Sequence, residues 1–166
     1  MMRPLVLILA LVLAGCALGP AQKEPPAIYE LGMPRTHAPD QPRIAASLLV
    51  HNVAAPAWLD TTAIVYRLNY LDAGRQQVYA NSRWAAAPGT LLTERLRVRL
   101  SAASDRGIVN PGDSARADYA LRIELDDFSQ LFDSAASSRV VVLARASLVN
   151  VSRRTLHAQK SFSVER

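Results

Sequence analysis

Hydrophobic and polar positions alternate most cleanly in the last third of the chain. There Tyr119, Leu121, Ile123 and Leu125 share one parity, and Arg122, Glu124 and Asp126 share the other. Successive strand residues face opposite sides of a sheet, so the pattern predicts a strand with one buried face. A loop at 133–138 leads to a second apolar run at 139–150 (RVVVLARASLVN), and Ser152-Arg153-Arg154 leads to a third at 156–164. The three runs predict an antiparallel meander. Leu156, Ala158, Phe162 and Val164 keep one parity along the third run while Lys160 breaks it, as expected at a strand end or on an exposed edge strand.

Upstream, residues 44–53 (IAASLLVHNV) read as a mostly buried strand that Ala54-Ala55-Pro56 ends. A short connection through Trp58 and Asp60 leads to residues 63–70 (AIVYRLNY), rich in the β-branched and aromatic residues that favour strands. Asp72-Ala73-Gly74 is a turn signal and residues 76–84 (QQVYANSRW) return, so the two runs predict a hairpin. Pro88 then opens a helical run, at a position where its missing N–H costs nothing. Leu92, Leu96 and Leu100 recur every four residues with Leu91 and Ala103 beside them, while Arg95 and Arg99 lie on another face. This spacing predicts an amphipathic helix over 88–104. Gly107-Ile108-Val109 is a short strand or turn, and Asn110-Pro111-Gly112-Asp113 a loop. Strands, one helix, then strands predict an α+β domain over 43–166: a mostly antiparallel sheet with the helix packed on one face.

The first quarter of the chain has a different texture. Residues 17–42 hold six of the ten prolines, and such a segment forms neither a helix nor a central strand. It predicts an extended tether; at about 3.1 Å per residue, positions 17–27 span roughly 30 Å. Within it, residues 28–31 (IYEL) alternate well enough to dock as an edge strand. Before it, Met1-Met2-Arg3 and the apolar run 5–13 (LVLILALVL) have the layout of a secretory signal over 1–15. The run is far short of the roughly 20 apolar residues that cross a bilayer. Cys16 is the sole cysteine, so no disulfide forms within one chain. The junction Leu13-Ala14-Gly15-Cys16 resembles the lipobox of bacterial lipoproteins. That resemblance implies cleavage before Cys16 and attachment of diacylglycerol to its thiol, with acyl chains such as palmitate. Two or three chains anchor a protein stably where one does not. Ala17 stands where Asp would favour retention in the inner membrane, so the resemblance implies a lipid anchor in the outer membrane of a Gram-negative bacterium, facing the periplasm.

Charge adds little. Nineteen Lys and Arg oppose 14 Asp and Glu; without the signal and its Arg3 the balance is 18 against 14, or +4. An exported, anchored chain meets no chromosome, and its arginines are scattered rather than clustered, so no nucleic-acid partner is expected. His37, His51 and His157 share no ligand spacing, and no metal or cofactor site is expected. No nucleophile elbow, Walker loop or dinucleotide fingerprint occurs, and Asp126-Asp127 directs its carboxylates to opposite faces unless a bulge intervenes. The chain therefore reads as a non-enzyme. Arg83-Trp84 could present a recognition surface, but a Trp ending a strand before a helix is better read as packing at the helix–sheet interface. Arg95, Arg97, Arg99 and Arg106 read as a solvated face, with lipid phosphate or an acidic partner as the functional alternative.

A family resemblance rests on Tyr29-x-Leu31, on Trp58-Leu59-Asp60 leading to Ile64-Val65-Tyr66-Arg67, and on Ser82-Arg83-Trp84-Ala85 followed by Pro88 and the helix with Leu91, Leu92 and Leu96. In this order, behind a lipobox, the series resembles the auxiliary lipoproteins of ABC-type transport systems, including the lipoprotein of the paraquat-inducible operon. The resemblance implies an accessory role beside an ATPase, a permease and an MCE-type periplasmic protein in lipid movement between membranes. It assigns no role to Tyr66 or Arg67, and it is compatible with a homo-oligomer. It also implies a C-terminal helix covering the sheet beyond Arg166, which this sequence is expected to stop short of. The alternative from another class is a lipidated periplasmic lipid carrier or hydrolase.

Overall fold

The computed structural model describes residues 24–33 and 42–166. Cys16, the signal at 1–15, His37 and most of the tether lie outside the described residues. The described part is an eight-stranded mixed sheet with a 16-residue helix packed against its core. The strands are β1 (Ala27–Tyr29), β2 (Leu48–Val50), β3 (Ala63–Leu68), β4 (Gln76–Trp84), β5 (Ile108–Val109), β6 (Tyr119–Ser134), β7 (Ser137–Asn150) and β8 (Thr155–Glu165). Between them lie a single helical turn, α1 (Asn69–Asp72), and the main helix, α2 (Pro88–Ala103).

The long strand β6 organises the sheet. One of its edges carries β7 along almost its whole length, and β8 follows β7, both antiparallel. Its other edge is divided: β2 runs parallel to residues 119–121 and β3 parallel to residues 130–132. β4 pairs antiparallel with β3, β1 docks parallel on β4, and β5 lies parallel beside β2. The meander, the hairpin and the short edge strand near Tyr29 are as the alternation predicts. The mostly antiparallel sheet is not. The three antiparallel pairings join strands that follow one another in sequence, whereas the four parallel ones join strands brought together by long connections, as parallel geometry requires.

The run at 44–53 also differs from the single strand expected of it. Its backbone is shared among three partners. Ile44 N–H donates to the Ala103 carbonyl at the end of α2 (2.9 Å), Leu48 to Val50 pair with β6, and Val53 N–H donates to Thr93 Oγ in α2 (2.8 Å). Ala54 then rejoins β6 opposite Glu124. The expected strand over 63–70 stops at Leu68, where α1 turns the chain, and the Asp72 carboxylate accepts the Gly74 N–H (3.0 Å). The expected loop at 133–138 is reduced to a tight turn, because Ser134 still pairs with Ser137.

The core gathers Val53, Leu59, Val65 and Leu125, with Leu92 and Leu96 of α2 packed against them from the helix side. Trp58, Ile123, Phe128 and Val142 complete the contact. Gly89 permits this approach: a Cβ there would lie 3.0 Å from the Val53 carbonyl oxygen. At the other end of α2, Ser104 leaves the helix in extended conformation, and its buried hydroxyl donates to the carbonyl oxygens of Ala46 (3.0 Å) and Gly107 (3.1 Å).

Candidate interaction surface

The residues most suggestive of chemistry are absorbed into structural contacts. The β6 ladder bulges between Leu125 and Asp127, so Asp126 and Asp127 are spent on different partners. Asp127 receives Arg67 Nη1 at 2.8 Å and the Ser129 hydroxyl at 2.7 Å, and the Arg67 guanidinium lies over the Trp58 ring, 5.0 Å from its centroid. Both charged side chains are 16% exposed. Glu124 and Asp126 instead approach Arg145 of β7, at 3.0 and 4.0 Å. Trp84 is half-buried and meets Phe128 edge-on at 5.5 Å, which is a packing position, while Arg83 beside it is exposed. The Tyr66 ring packs between Tyr79 and Phe132, and burial pushes the Tyr79 hydroxyl pKa up while it donates to Gln130 Oε1 (2.7 Å).

The arginines of α2 are less free than a solvated face implies. Arg95 donates to the Gly32 carbonyl, and Arg97 to the Val50 carbonyl and Asn52 Oδ1. Arg99 is also engaged. Arg106 reaches Asp118 at 3.3 Å. His157 meets Tyr119 at 5.0 Å with the rings tilted by 54°, and His51 N–H donates to the Leu121 carbonyl. Among the described residues, no group of three or more His, Cys, Asp or Glu gathers to hold a metal ion, and no helix is long and apolar enough to cross a membrane.

The surface left for contact is the far end of the sheet. Every residue of β8 is exposed, so both faces of this strand meet solvent. Register places Val164 opposite Val142, Phe162 opposite Ala144, Lys160 opposite Ala146 and Ala158 opposite Leu148, which makes one apolar row interrupted by Lys160. The Lys160 ammonium lies 5.4 Å from the Phe162 ring centroid, so the interruption is itself folded over an aromatic face. Phe162 is 45% exposed and Val164 51%, next to a strand edge that no described residue pairs with. A row of large apolar side chains beside free backbone donors and acceptors is a surface suited to protein contact.

Residues 29–166 match the family described as the ABC-type transport auxiliary lipoprotein component. The chain belongs to this family. No curated protein matches this chain at a significant level. Among solved structures, a Xanthomonas campestris protein of the DUF330 family shares 22% identity and a TM-score of 0.72, over 84% of this chain and 77% of its own. A second, described only as an uncharacterized protein, shares 20% identity and a TM-score of 0.59, over 86% of this chain and 80% of its own. At these identities the likeness is one of fold. The auxiliary-lipoprotein family thus accounts for nearly all of the described chain, including the segment from Tyr29 that docks on the sheet edge.

Proposed function

We propose that this chain is an outer-membrane-anchored accessory lipoprotein of an ABC/MCE-type lipid transport system, held through Cys16 and working by tethering and protein–protein contact rather than by catalysis. Family membership supplies the transport role, and the observation that favours contact is β8, a whole strand exposed on both faces with Phe162 and Val164 in one row. The partly buried pair of Arg67 with Asp127 is engaged by Trp58 and Ser129. In this reading the periplasmic part of an MCE-type protein seats on the β7–β8 end.

The purified lipoprotein should capture that partner in a pull-down, and Phe162→Ser with Val164→Ser should reduce capture at least tenfold. Absence of capture at low salt, together with turnover of a lipid ester by the purified protein, would reverse the choice in favour of a lipidated hydrolase.

A further inference from the structure

A cavity of about 490 Å³ opens at the end of the sheet where β6 begins and β7 ends, lined by Arg106, Arg116, Asp118, Tyr119, Asn150 and Ser152 among others. Four segments meet there: the approach to β2, the link from α2 to β5, the loop before β6, and the turn between β7 and β8. Hydrogen bonds fix their relative positions. Asp118 Oδ2 accepts the Ser47 N–H and the Ser47 hydroxyl, each at 2.8 Å, and the Asp118 carbonyl accepts the Val151 N–H at 3.1 Å.

The charges around this cavity do not balance. Asp118 is the one acid in its lining, and the same oxygen that takes the two Ser47 donors also takes Arg106 at 3.3 Å. That carboxylate is already committed. Arg116, also in the lining, pairs with no acid among the described residues. The turn that supplies Ser152 continues into Arg153 and Arg154, whose side chains likewise make no ion pair there. The nearest acids in sequence are occupied, Asp105 by Arg43 and Asp113 by the backbone and side chain of Asn110. Two guanidinium groups in the lining against one saturated carboxylate, with Arg153 and Arg154 next along the turn from Ser152, leave a local excess of positive charge beside a concave, polar space. Asn150 and Ser152 add neutral hydrogen-bonding groups to its wall.

We propose that this cavity binds a phosphate-bearing anion, either the phosphodiester headgroup of a lipid or free phosphate. A guanidinium presents a planar fork that matches two oxygens of a phosphate. Forks arriving from separate segments suit a tetrahedral anion better than a planar carboxylate, which one arginine satisfies. The volume admits a headgroup and not a folded peptide. This inference stands apart from the proposed transport role and survives its failure.

The test is calorimetric titration of the full-length lipoprotein in a non-ionic detergent at low salt, with inorganic phosphate in one arm and glycerophosphoglycerol, a deacylated lipid headgroup, in the other. The variant carries Arg116→Gln, Arg153→Gln and Arg154→Gln, none of which breaks a side-chain contact among the described residues, so its melting curve should match the wild type. Binding should fall at least tenfold. A control with Arg75→Gln and Arg83→Gln, two exposed arginines near β4 and remote from the cavity, should bind within twofold of wild type. Preference for glycerophosphoglycerol would assign the site to a headgroup and preference for inorganic phosphate to the free ion; either result supports it. Equal weakening in control and variant, or no binding of either anion by the wild type, would overturn it.

Discussion

Arg67 and Asp127 show how much of this interior depends on paired polarity. A charge removed from water without a partner costs several kcal/mol, whereas a pair replaced by apolar groups of similar volume is often tolerated. Arg67→Met should therefore destabilise the fold by about 3 kcal/mol, because it strands the Asp127 carboxylate beside Ser129 and uncovers Trp58. Combining it with Asp127→Leu should recover more than half of that loss. Urea unfolding of the two single variants and the double variant measures the coupling, and additive losses would show that the pair does not act as a unit. Asp118 gives a different signature. Its pKa is held below the ordinary aspartate range, first by the Ser47 N–H, then by the Ser47 hydroxyl, with Arg106 adding to these against the opposing effect of burial. A carboxylate whose pKa is depressed on folding adds stability that is present above its unfolded value, about 3.9, and is lost as pH falls through its folded value. Wild type should therefore melt above Asp118→Asn at neutral pH, and the gap should close as pH falls below about 4. A gap constant from pH 7 to pH 2 would assign the effect to shape rather than charge.

At the scale of elements, the sequence is most legible where neighbours in sequence are neighbours in space. The β6–β7–β8 meander, the β3–β4 hairpin and α2 each follow from a local period, because the partner that buries each face is one short turn away. Arg122, Glu124 and Asp126 keep the solvent parity of β6 up to the bulge after Leu125, where the alternation resets so that Phe128, rather than Asp127, packs against the core beside Leu125. The run at 44–53 is the instructive failure. Its composition is that of a buried strand, but Thr93 in α2 captures the Val53 N–H and Ala103 captures that of Ile44, and no local pattern announces a partner 40 or more residues away. The parallel pairings are hidden for the same reason. The contact surface was half legible: Lys160 marks β8 as an edge, yet only the structure shows that both of its faces are open. For that reason Phe162→Ser and Val164→Ser, which impair capture in the proposed function, should shift folding stability by no more than about 0.5 kcal/mol, the range of surface substitutions.

For the molecule as a whole, location and contact must be separable if the proposed role is right. In that proposal the function comes from where the domain is held and what it touches. The proposal gives the first to Cys16 and the proline-rich stretch after it and the second to β7–β8. Geometry then makes the two independent. If positions 17–27 act as an extended spacer, they set a reach of roughly 30 Å between membrane and domain, and deleting eight of them removes about 25 Å of it. Placed at 17–24, such a deletion touches no residue of the described sheet, so capture of the MCE-type partner in solution should stay within twofold of wild type. In cells, if the proposed partner is held at the other membrane, the same deletion should abolish complementation of a strain lacking the gene. Restoring the length with an unrelated proline-rich spacer should restore it. Full complementation by the shortened form would show that reach is irrelevant, and loss of solution binding would show that the stretch belongs to the contact surface rather than to a tether.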